Sequence, residues 1–194
     1  MLRINKRGDG PTMNHDISKI LIDEKELDAL VTKVAGEIDA DFSKIGGRLL
    51  LVAILKGSVV FMGDLMKKLQ SPVEIDFMKV SSYGAGTTTS GNINIHLDLQ
   101  RKDIGDCNVI VVEDIVDSGR TLSYLTEYLK LKGAKSVRTC TLLDKPSRRE
   151  VAFTPDYVGR EIPDEFVVGY GLDYDEKYRA LPFVGVLKPE VYAK

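Results

Sequence analysis

Five consecutive residues, Asp117-Ser118-Gly119-Arg120-Thr121, combine what an anion-binding turn needs. Gly119 lets the backbone approach an anion closely. Ser118 and Thr121 offer hydroxyl donors, and Arg120 offers positive charge. Where a helix starts at such a turn, its free N–H groups point at the anion and its dipole favours the charge. Three carboxylates, Glu113, Asp114 and Asp117, stand beside the cradle. Carboxylates repel phosphate, so they serve another part of the ligand. Adjacent acids accept hydrogen bonds from vicinal hydroxyls or bind Mg²⁺. Phosphate donors flanked by acids describe a site for a ribose 5-phosphate.

These residues need a strand before them and a helix after them. Val109 to Val112 is wholly apolar and β-branched, as a central strand of a parallel sheet is. The acidic, Gly-containing turn follows it. Thr121 to Lys132 then reads as a helix, with Gly133 ending it. Ligands of open α/β sheets bind at the carboxyl ends of such strands. The same strand-loop-helix order occurs earlier. Arg48 to Leu55 is a continuous apolar run, Lys56-Gly57 breaks it, and Val59 to Leu69 is helical. Val73 to Val80 and Ser136 to Leu143 are further strands, and Phe166 to Gly169 and Phe183 to Leu187 two short ones. Near the start, Asp23 caps an amphipathic helix, with Glu26 completing a capping box. Leu27, Leu30, Val31, Val34 and Ile38 share its apolar face.

Ser81 to Gly91 is rich in Gly, Ser and Thr and reads as a long mobile loop. In Asn92 to Leu99, apolar Ile93, Ile95, Leu97 and Leu99 alternate with polar residues, which makes a half-exposed strand. The loop and its flanks form an antiparallel hairpin, with His96 facing solvent. Strands alternating with helices imply an α/β sandwich on a mainly parallel sheet.

The 194 residues suit one domain, 43% of them hydrophobic and 29% charged, which argues against a disordered chain. A formal net charge of −2 draws the whole chain neither to nucleic acid nor to anionic lipid. No apolar run reaches about 18 residues, so no membrane span is expected. Cys107 and Cys140 lack metal-ligand spacing and read as reduced thiols of a cytoplasmic protein. Residues 1–14 read as a disordered extension, polar and Gly-rich from Met1 to Thr12, with Met13 a natural start.

The segment Val109 to Leu122, VIVVEDIVDSGRTL, resembles the phosphoribosyl-pyrophosphate (PRPP) motif of the type I phosphoribosyltransferases. Other segments, from about Ile17 onward, are similar to the hypoxanthine-guanine branch of that family. The resemblance implies a mainly parallel central sheet flanked by helices, with a small hood and a flexible antiparallel hairpin lid. It places one domain over 15–194, its core at about 48–150 and its hood drawn from 15–47 and 160–194. Leu55-Lys56-Gly57 resembles the pyrophosphate loop, in which the peptide before the lysine is commonly cis. Ser82 and Tyr83 lie at the start of the lid. By resemblance, Glu113, Asp114 and residues 117–121 bind the ribose 5-phosphate part of PRPP. Lys56, Gly57 and Arg179 hold pyrophosphate. Lys145 donates to the purine O6, Phe166 stacks on the ring, the Val167 backbone meets the pyrimidine edge, and Asp173 completes the purine-binding set. Glu113, Asp114 and Asp173 serve Mg²⁺, and Asp117 is the general base. Arg120 stands where lysine is common in the family, and Ser118 where some members have threonine. Both exchanges keep the cradle chemistry.

The reaction implied is transfer of a 5-phosphoribosyl group to N9 of a 6-oxopurine, by a homodimer or homotetramer without nucleic-acid or membrane partners. Nucleotide-sensing regulators of the same fold would add a basic surface or a nucleic-acid domain. Adenine- and orotate-specific enzymes are not expected to carry the Lys145 and Phe166-Val167 pattern. Xanthine-preferring relatives remain a closer rival, and hypoxanthine and guanine stay unranked.

Overall fold

In the computed structural model, residues 13–82 and 93–193 are described. Tyr83, most of the Ser81 to Gly91 loop, and the extension up to Thr12 lie outside them. Strand β1 (Ile17–Ile22) leads into helix α1 (Glu24–Ile45). The capping box forms as the sequence predicts. Glu26 N donates to Asp23 Oδ1 at 2.9 Å, and Asp23 N donates to Glu26 Oε2 at 3.1 Å. The chain continues through β2 (Arg48–Ile54), α2 (Val59–Lys68), β3 (Val73–Ser82) and β4 (Ile93–Leu97). It then forms β5 (Cys107–Val116), α3 (Arg120–Leu131), β6 (Ser136–Asp144) and β7 (Tyr157–Glu161). Two short strands, β8 (Val167–Val168) and β9 (Val184–Leu187), precede the C-terminal turn α4 (Pro189–Tyr192).

Six strands make the main sheet in the order β4-β3-β2-β5-β6-β7. All neighbours run parallel except the β3–β4 hairpin. The period-two rule divides the core. Leu49, Leu51, Ala53, Ile110 and Val112 face α1 and α2; Leu50, Val52, Ile54, Val109 and Val111 face α3. Strands β2 and β5 are buried on both faces, which is why their sequences are continuous apolar runs. His96 is exposed on the polar face of β4 and shares a 2.7 Å hydrogen bond with Ser81 Oγ.

The short strands at Val167 and Val184 do not join this sheet. They form a separate antiparallel sheet, β1-β9-β8, with its own cluster of Val168, Tyr178, Leu181 and Leu187. This hood uses β1, which the sequence pattern did not reveal as a strand. Helix α1 packs on α2 and β7 over the main sheet, so its place is with the core layer. Its apolar stripe is wide enough to cover a sheet face, and the hood's three short strands offer too little surface to bury it.

Candidate active site

Strand β5 runs four residues beyond the apolar run. Glu113 pairs with Thr141, Ile115 with Leu143 and Val116 with Asp144 on β6. Glu113 and Asp114 therefore lie on the strand, and the turn proper begins at Asp117. This departs from a sequence reading that put all three acids in the turn. The backbone pairing with β6 continues past the two acids through Ile115 and Val116.

The β5–β6 register has a consequence for the site. Val116 opposite Asp144 makes Asp117 and Lys145 the next pair, just past the carboxyl ends of two adjacent strands. Lys145 N donates to Val116 O at 2.9 Å, which holds the two exits together. Lys145 is 6% exposed, and its Nζ lies 3.7 Å from Asp117 Oδ1. A buried ammonium persists when paired, and here its partner is the exposed Asp117.

Helix α3 starts immediately after Gly119, whose φ of 79° is left-handed. Ser118 Oγ accepts from Arg120 N at 3.3 Å. Thr121 lies in the first helical turn. The Arg120 guanidinium is anchored outward, donating to Glu150 Oε2 at 2.6 Å. Arg149, which the sequence reading did not single out, fastens the turn from below. Its NH1 donates to Asp117 O at 2.6 Å, its NH2 pairs with Asp144, and its Cδ would lie 2.9 Å from a Cβ on Gly119. No spacing rule distinguishes it from its neighbour Arg148, which pairs with Asp164.

At the end of β2 the Leu55–Lys56 peptide is cis. Gly57 packs so closely on the acid pair that a Cβ there would lie 1.5 Å from Asp114 Oδ2. Gly171 of the hood loop is pressed onto the same spot, its own Cβ position 2.0 Å from Gly57 O. Gly57→Ala must displace either the loop or Asp114. An ångström of misplacement at a reacting centre costs about 100-fold, so steady-state kinetics should show the chain's catalytic efficiency falling by about that factor.

The hood delivers the remaining residues. Phe166 is 38% exposed, stacked on Tyr192 with centroids 4.6 Å apart and edge-on to Tyr174 at 5.6 Å. Tyr192, also missed in the sequence, reaches this position because α4 folds back under Lys188 N, which donates to Asp16 O. Asp117, Lys145, Ile115, Phe166, Val167, Leu172, Asp173 and Tyr192 line one cavity of about 310 Å³. Asp173 pairs with Arg179 at 2.8 Å, and Arg179 NH1 donates to Gly171 O at 2.8 Å. Arg179 also borders a larger groove of about 630 Å³ between α1, α2 and the hood loop, away from the other candidate residues. Ser82 ends β3 on the same edge of the sheet, and Tyr83 is outside the described residues.

The electrostatics are unbalanced where the acids sit. Burial, with Asp114 beside it, raises Glu113 well above the usual carboxylate range. Burial pushes Asp114 up to about 6, against the hydrogen bond from Ile115 N and the attraction of Arg179. Glu113 Oε2 and Arg179 Nε are buried without a hydrogen-bond partner. Buried polar atoms are rarely left so, and these two suit hydroxyl donors or a cation at the acids and an anion at the guanidinium. Among the described residues no group of three or more His, Cys, Asp or Glu side chains stands ready to hold a metal.

A raised carboxylate pKa has a stability cost of known sign. The folded state binds the proton more tightly than the unfolded chain, so stability is lost as pH rises from about 4 through 6. Asp114→Asn removes that cost and keeps the acceptor for Ile115 N. It should raise the melting temperature at pH 7.5 by roughly 4–8 °C, for about 2 kcal/mol, with a smaller gain at pH 4.5. Scanning calorimetry at both pH values checks this, and no gain at pH 7.5 would mean the charge is already compensated.

Comparison with known proteins shows the family. A family profile described as "Phosphoribosyl transferase domain" matches residues 19–175. The hypoxanthine-guanine phosphoribosyltransferase of Bacillus subtilis is 48% identical over 180 residues, covering 93% of this chain and 98% of that protein. The chain belongs to the hypoxanthine-guanine phosphoribosyltransferases. A solved hypoxanthine phosphoribosyltransferase from Staphylococcus aureus superposes with a TM-score of 0.89 at 43% identity, covering 96% of this chain and 100% of that one. The bifunctional protein TilS/HprT of Listeria innocua is 50% identical over 187 residues, and there the chain spans only 28% of the relative's length. As in that family, the fold is a mostly parallel sheet flanked by helices. No helix among the described residues is long and apolar enough to cross a membrane.

Proposed function

We propose that this phosphoribosyltransferase transfers the 5-phosphoribosyl group of PRPP to N9 of hypoxanthine or guanine, releasing pyrophosphate, in purine salvage. The observation that carries the reading is the Lys145–Asp117 pair, 3.7 Å apart at the mouth of the 310 Å³ cavity. A 6-oxopurine presents O6 and N7 side by side on one edge. Lys145 donates to O6, and Asp117 accepts the proton that N7 carries. As N9 bonds to C1′, the bond from C1′ to the pyrophosphate oxygen breaks and the N7 proton passes to Asp117. The ribose carbon is cationic in between, and the Asp117 charge favours it. Phe166 stacks on the base, and the Val167 backbone meets its pyrimidine edge.

The 5-phosphate lies on the Asp117–Thr121 turn at the α3 N-terminus, where Ser118, Gly119 and Thr121 supply donors and Arg120, held by Glu150, borders the site. The Glu113 and Asp114 carboxylates accept the ribose hydroxyls. Lys56, Gly57 and Arg179 hold the pyrophosphate, and Ser82 and Tyr83 begin the lid that excludes water. Two buried acids short of positive charge, with Asp173 near enough for its charge to act on Asp114, fit Mg²⁺, which takes one or two carboxylates and completes its shell with substrate oxygens and water. When bound, it would neutralise charge on the departing pyrophosphate. The enzyme we describe is cytoplasmic, since Cys107 and Cys140 are both free and buried. It acts as a homodimer or homotetramer, and exposed Val59 and Met66 on α2 suit a covered face.

The test is pyrophosphate release from PRPP and hypoxanthine, with Mg²⁺ and with excess EDTA. Release that needs both substrates and stops with EDTA is expected. No release with Mg²⁺ refutes the reaction, and full release in EDTA refutes the metal.

A further inference from the structure

Of the two cations assigned to pyrophosphate, Lys56 is hydrogen-bonded to a carboxylate of the chain itself, and Arg179, paired with Asp173 at 2.8 Å, lies beside the same carboxylate. Lys56 Nζ lies 3.0 Å from both Glu176 oxygens, and Arg179 NH2 lies 3.6 Å from Glu176 Oε2. This side chain comes from the hood loop, far in sequence from Lys56. The backbone is bent specifically to present it. Tyr174 and Lys177 exchange backbone hydrogen bonds, and the residues between them, Asp175 and Glu176, have φ of 52° and 61°. Such a turn favours Asn and Gly at its centre, and non-glycine residues there are uncommon. Glu176 N also donates to Asp173 Oδ2 at 2.9 Å, which fixes the turn against the site. The Lys56 hydrogen bond holds the Glu176 carboxyl below its usual range.

We propose that Glu176 is an internal stand-in for pyrophosphate, occupying Lys56 beside Arg179 in the free enzyme and giving way when the diphosphate arrives. The inference rests on reading Lys56 and Arg179 as pyrophosphate ligands. The pair is suited to displacement. Its side chains are 52% and 66% exposed, and exposed ion pairs are weak. The incoming group carries more charge than one carboxylate and takes both cations. A competitor of this kind holds the loop at Lys56 in place between turnovers and weakens retention of the product. Glu176 is a tuning residue and makes no contact with the reacting atoms.

Inorganic pyrophosphate is the probe. Its dissociation constant is measured by calorimetry with Mg²⁺ for the wild type and Glu176→Gln, and its inhibition constant against PRPP is measured alongside. The amide keeps the size and the turn and removes the charge. Pyrophosphate should bind the variant about fivefold more tightly, the KM for PRPP should fall in step, and 0.5 M salt should shrink the difference by screening. A merely structural role predicts the opposite sign. Unchanged or weaker pyrophosphate binding by a variant of normal melting temperature overturns the inference while leaving the proposed reaction intact. A wild type that neither binds nor releases pyrophosphate overturns both.

Discussion

Replacing Asp117 by asparagine is expected to lower kcat by roughly 10²–10⁴-fold, the usual contribution of a positioned general base. The cost to the fold should be modest: asparagine takes away the charge that faces buried Lys145 at 3.7 Å and leaves an amide oxygen in its place. Asp117 is half-exposed, and the turn is held through its backbone oxygen by Arg149, a bond that asparagine keeps. Losing one member of this half-exposed pair should cost about 1 kcal/mol, or roughly 2–4 °C in melting temperature for a chain of this length. The KM for PRPP should change little, because the phosphate donors of the turn remain. Near-wild-type turnover would remove Asp117 from the proton-transfer role. A large fall in melting temperature would assign it to the fold.

The second large effect concerns the choice of base. Lys145→Gln replaces a buried cation that only donates with an amide that both donates and accepts. Loss of a charged hydrogen bond to O6 should lower kcat/KM for hypoxanthine roughly 10- to 100-fold. Activity with adenine should fall less or rise, because the amide oxygen can accept from a 6-amino group. The hypoxanthine-to-adenine ratio of kcat/KM is the quantity to measure, in the variant and the wild type. An unchanged ratio would detach Lys145 from recognition of the 6-position.

Much of this site was legible because its parts are local. An apolar strand, two acids and a turn with Gly119 at its apex imply a phosphate cradle with no further information. Residues made meaningful by register were less accessible. Lys145 alone is one lysine after a strand, and its pairing with Asp117 follows from Val116 lying opposite Asp144. The hood was hardest. Strand β1 carries two buried or half-buried ends around three exposed residues, so neither alternation nor an apolar run marks it. Glu176 acts from a left-handed turn that its residue type disfavours, Arg149 supports the cradle from an irregular stretch, and Tyr192 reaches Phe166 through a four-residue terminal turn. Each depends on tertiary placement, which periodicity does not encode.

The central claim is that a PRPP-dependent transferase selects 6-oxopurines. The most direct measurement compares initial rates of pyrophosphate release by the wild type with hypoxanthine, guanine, xanthine and adenine at fixed PRPP and Mg²⁺. A site built to pair a buried donor with O6 should favour hypoxanthine or guanine over adenine by about 10³-fold or more in kcat/KM. Adenine used as well as hypoxanthine, or no pyrophosphate released with any base, would contradict the account.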